Sequence, residues 1–396
     1  MTAAIADRFK IIDVDTHVIE PPDLWTSRMP KRSADRVPHI ETDSRTGDDI
    51  WVMGNKPMAR PGLFAQAGWN EHPPLHPPTW ADIDPATWDA KLRLQRMDEF
   101  GVFAQILYPN LSLFYPGLVL DKAVDLEFTF EYVRAYNDYQ TEWCSAAPDR
   151  LIPVTSVPLW DRDESIAEME RCHSMGHRGV IFSQEPGAWG LPMLTDPHWD
   201  PFWSAAQEMG IPVNFHIGSA ADDVDDTSLA GNGHASCGMH ANTAVVHPAM
   251  WFANATTMAK LICGGICHRF PRLNFVLVES GVSWIPFALE GLDWAWGNSG
   301  VKAEHPEYEL LPSEYFKRQI FGCFFFESFQ AVQYSIERLG DQQILFETDF
   351  PHPTAQVPGP GVGVSARDFV EREFTQLSDT SLARILHDNA ARLYGL

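Results

Sequence analysis

Positive charge is what this sequence has least of: 29 Lys and Arg stand against 53 Asp and Glu, a net charge of −24. That excludes nucleic acid as a partner, because phosphate binding needs a Lys/Arg-rich face, and it excludes docking on anionic lipid. The acidic excess reads as a solvated surface that favours solubility. Long apolar runs are lacking as well. The most apolar long window, Ala244–Cys267, is interrupted by His247, Pro248, Asn254 and Lys260, so it fits a buried helix rather than a membrane span. Met1–Lys10 has no apolar stretch of signal-peptide length, and a cytoplasmic location is the expectation. Paired cysteine motifs are absent: Cys144, Cys172, Cys237, Cys263, Cys267 and Cys323 form no CxxC and read as reduced, buried thiols. Cys263, Cys267 and His268 cluster within about a turn, but the second cysteine pair of a zinc site is missing.

What is present is alternation. Short β-branched runs at Ile11–Val14, Ala104–Tyr108, Leu151–Val157, Gly179–Phe182, Pro212–His216, Asn274–Val278, Phe321–Phe325 and Ile344–Phe346 predict eight strands. Helical stretches fall between them at Trp88–Phe100, Asp121–Ala147, Asp163–Met175, Pro201–Met209, Trp284–Trp296 and Phe329–Leu339, and a last one at Ala366–Tyr394 ends the chain. Eight strands with intervening helices predict an α/β fold, a (β/α)₈ TIM barrel, as one metal-dependent domain over residues 1–396. A doubly wound open sheet is disfavoured, since no Gly-rich phosphate loop follows the first strand. Two segments break the repeat. An insertion at 21–86, rich in Pro and Trp with a hairpin at Asp49–Met58, follows strand one, and a long loop at Ser219–His240 follows strand five. Both leave the face where barrel active sites lie, so both read as lids. Trp25, Trp51, Trp69 and Trp80 either roof a pocket or seal the insertion.

Chemistry collects at strand ends. The first strand ends Asp13-Val14-Asp15-Thr16-His17, and alternation puts Asp13, Asp15 and His17 on one side, with Glu20 three residues on. Such a density of carboxylates is costly unless a divalent cation offsets it. The fifth strand ends in His216 before Gly218. The sixth runs into Glu279, which needs a metal, an Arg or a hydrogen-bond network as partner. The eighth leads to Asp349-Phe350-Pro351-His352, where Asp349 and His352 can both face inward.

Together these residues resemble the amidohydrolase superfamily, in particular the branch holding aminocarboxymuconate semialdehyde decarboxylase and γ-resorcylate decarboxylase. The resemblance extends from Asp13 to the terminal Asp388-Asn389-Ala390-Ala391-Arg392-Leu393-Tyr394, and includes Arg269-Phe270-Pro271 and Thr348-Asp349-Phe350-Pro351-His352. It implies metal ligation by Asp15, His17, His216 and Asp349, with Asp349 also acting as base. Two departures stand out: Asp-x-His replaces the usual His-x-His, and Glu279 stands where the sixth strand usually delivers a His.

Charge counting extends the ligand set. Asp15, Glu20, Glu279 and Asp349 carry four negative charges, which two divalent ions neutralise. With His17, His216 and His352 there are seven side-chain ligands, enough for two ions; Glu20 and His352 alternatively orient the ligands. The mixed carboxylate and imidazole set favours Fe or Mn, with Zn possible. The expected function is hydrolysis or decarboxylation of a small organic molecule, with Asp349 and Glu279 as catalytic residues. The alternative is an O₂-dependent hydroxylase, since the set also resembles a small group of dinuclear oxygenases on this fold; a structural subunit with little catalysis ranks third. His240 and His268 are further acid/base candidates. The expected partners are a small-molecule substrate and other subunits in a homo- or hetero-oligomer, with neither nucleic acid nor membrane.

Overall fold

The computed structural model describes residues 4–111, 125–219, 238–353 and 355–396. Eleven strands run β1 (Ile11–His17), β2 (Pro38–Thr42), β3 (Asp49–Met53), β4 (Lys56–Pro57), β5 (Val102–Tyr108), β6 (Leu151–Pro153), β7 (Val180–Ile181), β8 (Val213–His216), β9 (Phe275–Val278), β10 (Ile320–Phe324) and β11 (Ile344–Phe346). Eight of them are parallel, in the orders β1-β5-β6 and β11-β10-β9-β8-β7. Parallel bridges Thr155↔Val180 and Thr16↔Phe350 join the two sheets at both seams and close the ring. Backbone bonds seal one seam, Thr155 N to Gly179 O at 2.9 Å, and the other, His17 N to Phe350 O at 2.7 Å. The expected (β/α)₈ barrel is therefore the observed one.

The first two barrel strands run longer than the apolar runs that announce them, Ile11–His17 and Val102–Tyr108, whereas the third to sixth are shorter. Of Leu151–Val157, Leu151–Pro153 is continuous strand and Thr155 pairs once more, after which Asn137 Oδ1 takes the Ser156 amide at 3.1 Å. Helices follow the expected order, with Phe329–Leu339 as expected and Leu126–Cys144 capped by Asp125, whose side chain accepts from Phe128 N. The terminal stretch Ala366–Tyr394 is broken: helix Ala366–Glu373 stops, and Ser378 caps a new one whose middle, Arg384–Asp388, widens into a π-turn. Asn389 in that motif donates to Asp341 O and Ile344 O, tying the chain end to β11.

Alternation on β8 decides what faces the lumen. Val213 and Phe215 point outward into a cluster with Phe182, Phe202 and Trp203, each such side chain contributing roughly 1.5–3 kcal/mol when buried. Asn214 and His216 point inward. Below His216, Asn214 Oδ1 accepts from Tyr108 at 3.0 Å and Tyr394 at 2.8 Å. Gly179 makes the room, since a Cβ there would lie 2.7 Å from Asn214 Nδ2.

The 21–86 insertion folds as the expected hairpin plus one strand, an antiparallel β2-β3-β4 sheet. Trp25 stacks on Tyr132 at 4.8 Å and meets Trp51 edge-on at 5.7 Å, so these two tryptophans seal the insertion against helix Leu126–Cys144. The segment also reaches the barrel mouth, where Gln66 N and Ala67 N donate to Pro351 O. Of the loop expected at Ser219–His240, residues 220–237, Cys237 among them, lie outside the described residues. Among the described residues no helix is long and apolar enough to cross a membrane.

Candidate metal centre

The end of β1 and the turn after β11 are built on each other. Asp13 accepts from Thr348 N at 2.8 Å and from Thr348 Oγ1 at 2.5 Å, while Asp349 N donates to Asp15 O at 2.9 Å. Asp13 thus clamps two strands instead of joining the cluster above it, and burial pushes its carboxyl up to about 7. Arg93, also fully buried, donates to the carbonyls of His17 at 2.6 Å and Ala86 at 2.7 Å and lies 4.4 Å from the Phe350 ring centre. Glu347 accepts from Glu279 N at 3.1 Å and fixes the end of β9. Glu279 (φ 58°) and Asp349 (φ 59°) are the two non-glycine residues of the described chain with left-handed backbone. For side-chain-bearing residues that conformation costs of order 1–3 kcal/mol, and such strain concentrates at functional sites.

Six buried side chains converge there. His17 Nε2 lies 3.1 Å from His216 Nε2, 3.4 Å from Asp15 Oδ1 and 3.5 Å from Asp349 Oδ1. His216 Nε2 lies 3.3 Å from Asp15 Oδ1 and 3.4 Å from Glu279 Oε2. His352 Nδ1 lies 2.8 Å from Asp349 Oδ1. The tautomers follow from what the other nitrogens face. Carbonyls only accept, so His17 Nδ1 donates to Pro109 O at 3.1 Å and His216 Nδ1 to Ile217 O at 2.7 Å. Both Nε2 atoms are thereby aimed at one point. Beside them, both carboxylate oxygens of Asp15 and of Asp349 are buried without a hydrogen-bond partner, a costly arrangement in the absence of a cation. Three overlapping sets have donor atoms close enough to hold an ion: Asp15/His17/His216, His17/Asp349/His352 and Asp15/Glu279/Asp349.

The protonation pattern follows from burial and charge. Burial pushes Glu279 up to about 8 and Asp349 well above its ordinary value, with the neighbouring carboxylates adding to the latter. Burial opposes the charged form of Asp15 too, but the charge of His216 and the close approach of both imidazoles hold it below the usual range. Burial would lower His216; the adjacent Asp15 carboxylate and the Glu279 charge overcome it and raise it to about 9. Burial brings His17 down to about 4 and His352 lower than its ordinary value.

The family profile described as Amidohydrolase matches residues 12–396. The chain belongs to the amidohydrolase family. It is 27% identical over 335 residues to γ-resorcylate decarboxylase of Rhizobium sp., covering 80% of this chain and 90% of that protein. Among solved structures, an amidohydrolase from Mycobacterium avium subsp. paratuberculosis superposes with a TM-score of 0.71 at 23% identity, over 98% of this chain and 99% of that one. A dihydroxybenzoic acid decarboxylase from Polaromonas sp., with bound manganese and the inhibitor 2-nitroresorcinol, gives 0.64 at 20% identity over 98% and 97%.

In this amidohydrolase the fold brings six of the seven expected ligands together and places the seventh elsewhere. Glu20 Oε1 accepts from the amides of Asn110 at 2.8 Å and Leu111 at 3.0 Å, and Glu20 is in none of the three sets. It holds the turn after β5, and burial raises its carboxyl to about 7. His240 Nδ1 meets Pro73 O at 2.7 Å, while His268 packs against Tyr308 before β9, at the opposite end of the barrel. Asn110 escaped the sequence reading. Its Oδ1 accepts from His352 Nε2 at 2.6 Å, its Nδ2 donates to Val18 O at 2.8 Å, and its own amide serves Glu20. An Asn two residues past an apolar strand carries little signal, and the same holds for Arg93, which reads as one more helix-surface cation.

Proposed function

We propose that this amidohydrolase is a metal-dependent carboxy-lyase that removes CO₂ from a small ring-hydroxylated aromatic acid. The observation that carries the reading is the pair of tautomer-fixed imidazoles, His17 and His216, facing the orphaned carboxylate oxygens of Asp15 and Asp349. The Rhizobium and Polaromonas decarboxylases support the reaction class, and the manganese of the latter supports the ion.

Asp15, His17, His216 and Asp349 would hold one divalent ion, with Glu279 at its edge. Ligand atoms on one ion sit about 3.0–3.5 Å apart when each bond is about 2.1 Å, and the separations of 3.1–3.5 Å match the edges of a single shell. Two ions, typically about 3.5–4 Å apart, need a wider set, and with Glu20 engaged elsewhere the charge argument for a second ion weakens. The oxygen and nitrogen donors suit manganese, with iron and zinc also compatible. Bound there, the ion supplies positive charge for the substrate's carboxylate and hydroxyl oxygens.

The chain's own residues manage the proton. Burial raises the proton affinity of Glu279 and of its neighbour Asp349, whose carboxyl the Glu279 charge raises further, so the pair can carry a proton. Asp349 or Glu279 delivers it to the ring carbon that bears the carboxylate. The C–C electron pair returns to the ring as CO₂ leaves, so one proton is consumed for each CO₂ released. His352 Nδ1 lies 2.8 Å from the Asp349 carboxyl and the ring is held in place by Asn110. The O₂-dependent hydroxylase draws no support from the relatives reported above. The test is CO₂ release from γ-resorcylate and other ring-hydroxylated benzoates by the manganese-loaded chain, in air and under nitrogen. Equal CO₂ release in both atmospheres, with deuterium entering the ring in D₂O, supports the reading. Absence of CO₂ from every such acid, or turnover that consumes O₂, overturns it.

A further inference from the structure

Helix Met239–Cys263 crosses from the insertion to the end of β9. At its start His240 Nδ1 donates to Pro73 O of the insertion at 2.7 Å. Further along, Asn254 Nδ2 donates to Val278 O at 3.0 Å and to Ser280 Oγ at 3.1 Å, on either side of Glu279. His247, Trp251, Asn254 and Met258 follow one another at the three- and four-residue steps of a single helical stripe. His247, Asn254 and Met258 are buried, while Val245 and Phe252 on the opposite side are exposed. Trp251 stacks on Phe326 at 4.7 Å and meets Phe325 edge-on at 6.4 Å, just past the end of β10. His247 lies two turns, about 10 Å, before the anchor at Asn254. It is near enough to the metal centre for its charge to act on His352.

Pro248 has no N–H for the carbonyl four residues earlier and opens the helical ladder here. The His247 ring turns back along the helix, and its Nδ1 donates to Thr243 O at 2.7 Å. A carbonyl only accepts, so the proton sits on Nδ1, and burial lowers the ring below its ordinary value and keeps it neutral. Nε2 is then an acceptor at the far edge of the ring, and among the described residues nothing donates to it. A buried acceptor without a donor costs free energy that a ligand's hydroxyl recovers.

We propose that His247 is a specificity-determining residue whose Nε2 accepts a hydrogen bond from a ring hydroxyl that the ion does not hold. The inference rests on the carboxy-lyase reading above. The substrate's carboxylate goes to the ion and offers only acceptors, so the donors left for Nε2 are ring hydroxyls. Trp251 has its ring centre 6.3 Å from that of His247, with Phe325 and Phe326 behind it. The acceptor therefore sits in an aromatic wall, and one polar group in an apolar wall fixes the orientation of a flat ring. His247 is in none of the three ligand sets, so it meets the substrate directly and not through the ion.

The test compares kcat/KM of the manganese-loaded chain for 2-hydroxybenzoates with a second hydroxyl at each ring position and for their methoxy counterparts. The wild type is expected to prefer one dihydroxy acid over its methoxy counterpart by roughly 10–100-fold, the effect of leaving a buried acceptor unpaired. His247→Phe is expected to lose that preference, and His247→Gln, which keeps an acceptor, to retain most of it. Should His247→Phe fail to fold, His247→Ala reads the same ratio. Manganese content is expected at the wild-type value in every variant. A wild type without preference, a preference that survives the apolar substitution, or loss of manganese overturns the assignment of His247. Each of these outcomes leaves the carboxy-lyase reading standing as long as CO₂ is released. No CO₂ from any of these acids in the wild type overturns both.

Discussion

Two buried polar clusters in this barrel look alike in composition and differ in one respect. Beside β6, Glu168 accepts from Arg171 at 2.7 and 2.8 Å and from Asn137 at 2.8 Å, and His177 sits between the Thr141 and Thr155 hydroxyls at 2.9 and 3.2 Å. Each nitrogen of His177 and each oxygen of Glu168 has a partner supplied by the chain. At the mouth, Asp15 and Asp349 have none for their carboxylate oxygens. A satisfied buried network braces the fold, whereas a cluster that the fold assembles at the cost of unmatched charge and left-handed backbone at Glu279 and Asp349 is organised around something the chain does not contain.

Breaking each cluster should therefore have opposite consequences. Asp349→Asn or His216→Ala is expected to lower metal content and to reduce decarboxylation by roughly 10²–10³-fold or more, with little loss of folding stability. Metal analysis and steady-state kinetics on the two variants check this. Full metal retention in both would erase the distinction between the clusters. Glu168→Ala removes a buried acceptor from Asn137 and from the partly exposed Arg171 and is expected to destabilise by about 1–3 kcal/mol, read by urea unfolding. Metal content and rate per folded molecule should stay at wild-type values.

The brace also has a pH signature. Burial brings His177 down to about 4 from its ordinary 6.5. Between those values the unfolded chain binds a proton that the folded chain refuses, so stability from this group is complete above pH 6.5 and lost as pH falls to 4. About 3 kcal/mol is at stake at 1.36 kcal/mol per pKa unit. His177→Gln should flatten the stability profile across that window by a comparable amount, and an unchanged slope would remove His177 from the account. A smaller effect is expected from Asn110→Ala, which frees His352 and with it Asp349. Manganese affinity should fall about 10–100-fold, measured by competition with a chelator, with the fold intact.

Legibility in the sequence followed chemistry and failed on packing. β1, β8, β9 and β11 announced themselves because each apolar run leads into polar side chains, which singled out Asp15, His17, His216, Glu279 and Asp349, while the family resemblance supplied their ligand roles. Glu20 was read as a metal ligand or as a residue orienting one, but its partners are backbone amides at Asn110 and Leu111, and backbone donors leave no mark in a sequence. Asp13 shares the parity of Asp15 on β1, yet the register shifts between Asp13 and Thr16, and it turns to Thr348. Asn110, Arg93 and Glu347 matter through contacts across 242, 76 and 68 residues of chain respectively, distances over which one sequence carries no pairing information. The break in the terminal helix was similarly hidden, because its apolar periodicity continues past the interruption before Ser378.

The number of ions distinguishes these readings most sharply. Seven expected ligands suggested two ions; the proposed reading places one within a single shell of donors. Elemental analysis of the full chain, purified without added metal and then loaded with manganese and desalted, tests this directly. One manganese per chain, falling to near zero in His216→Ala, is the predicted result. Two per chain, or none at saturating manganese, would contradict it.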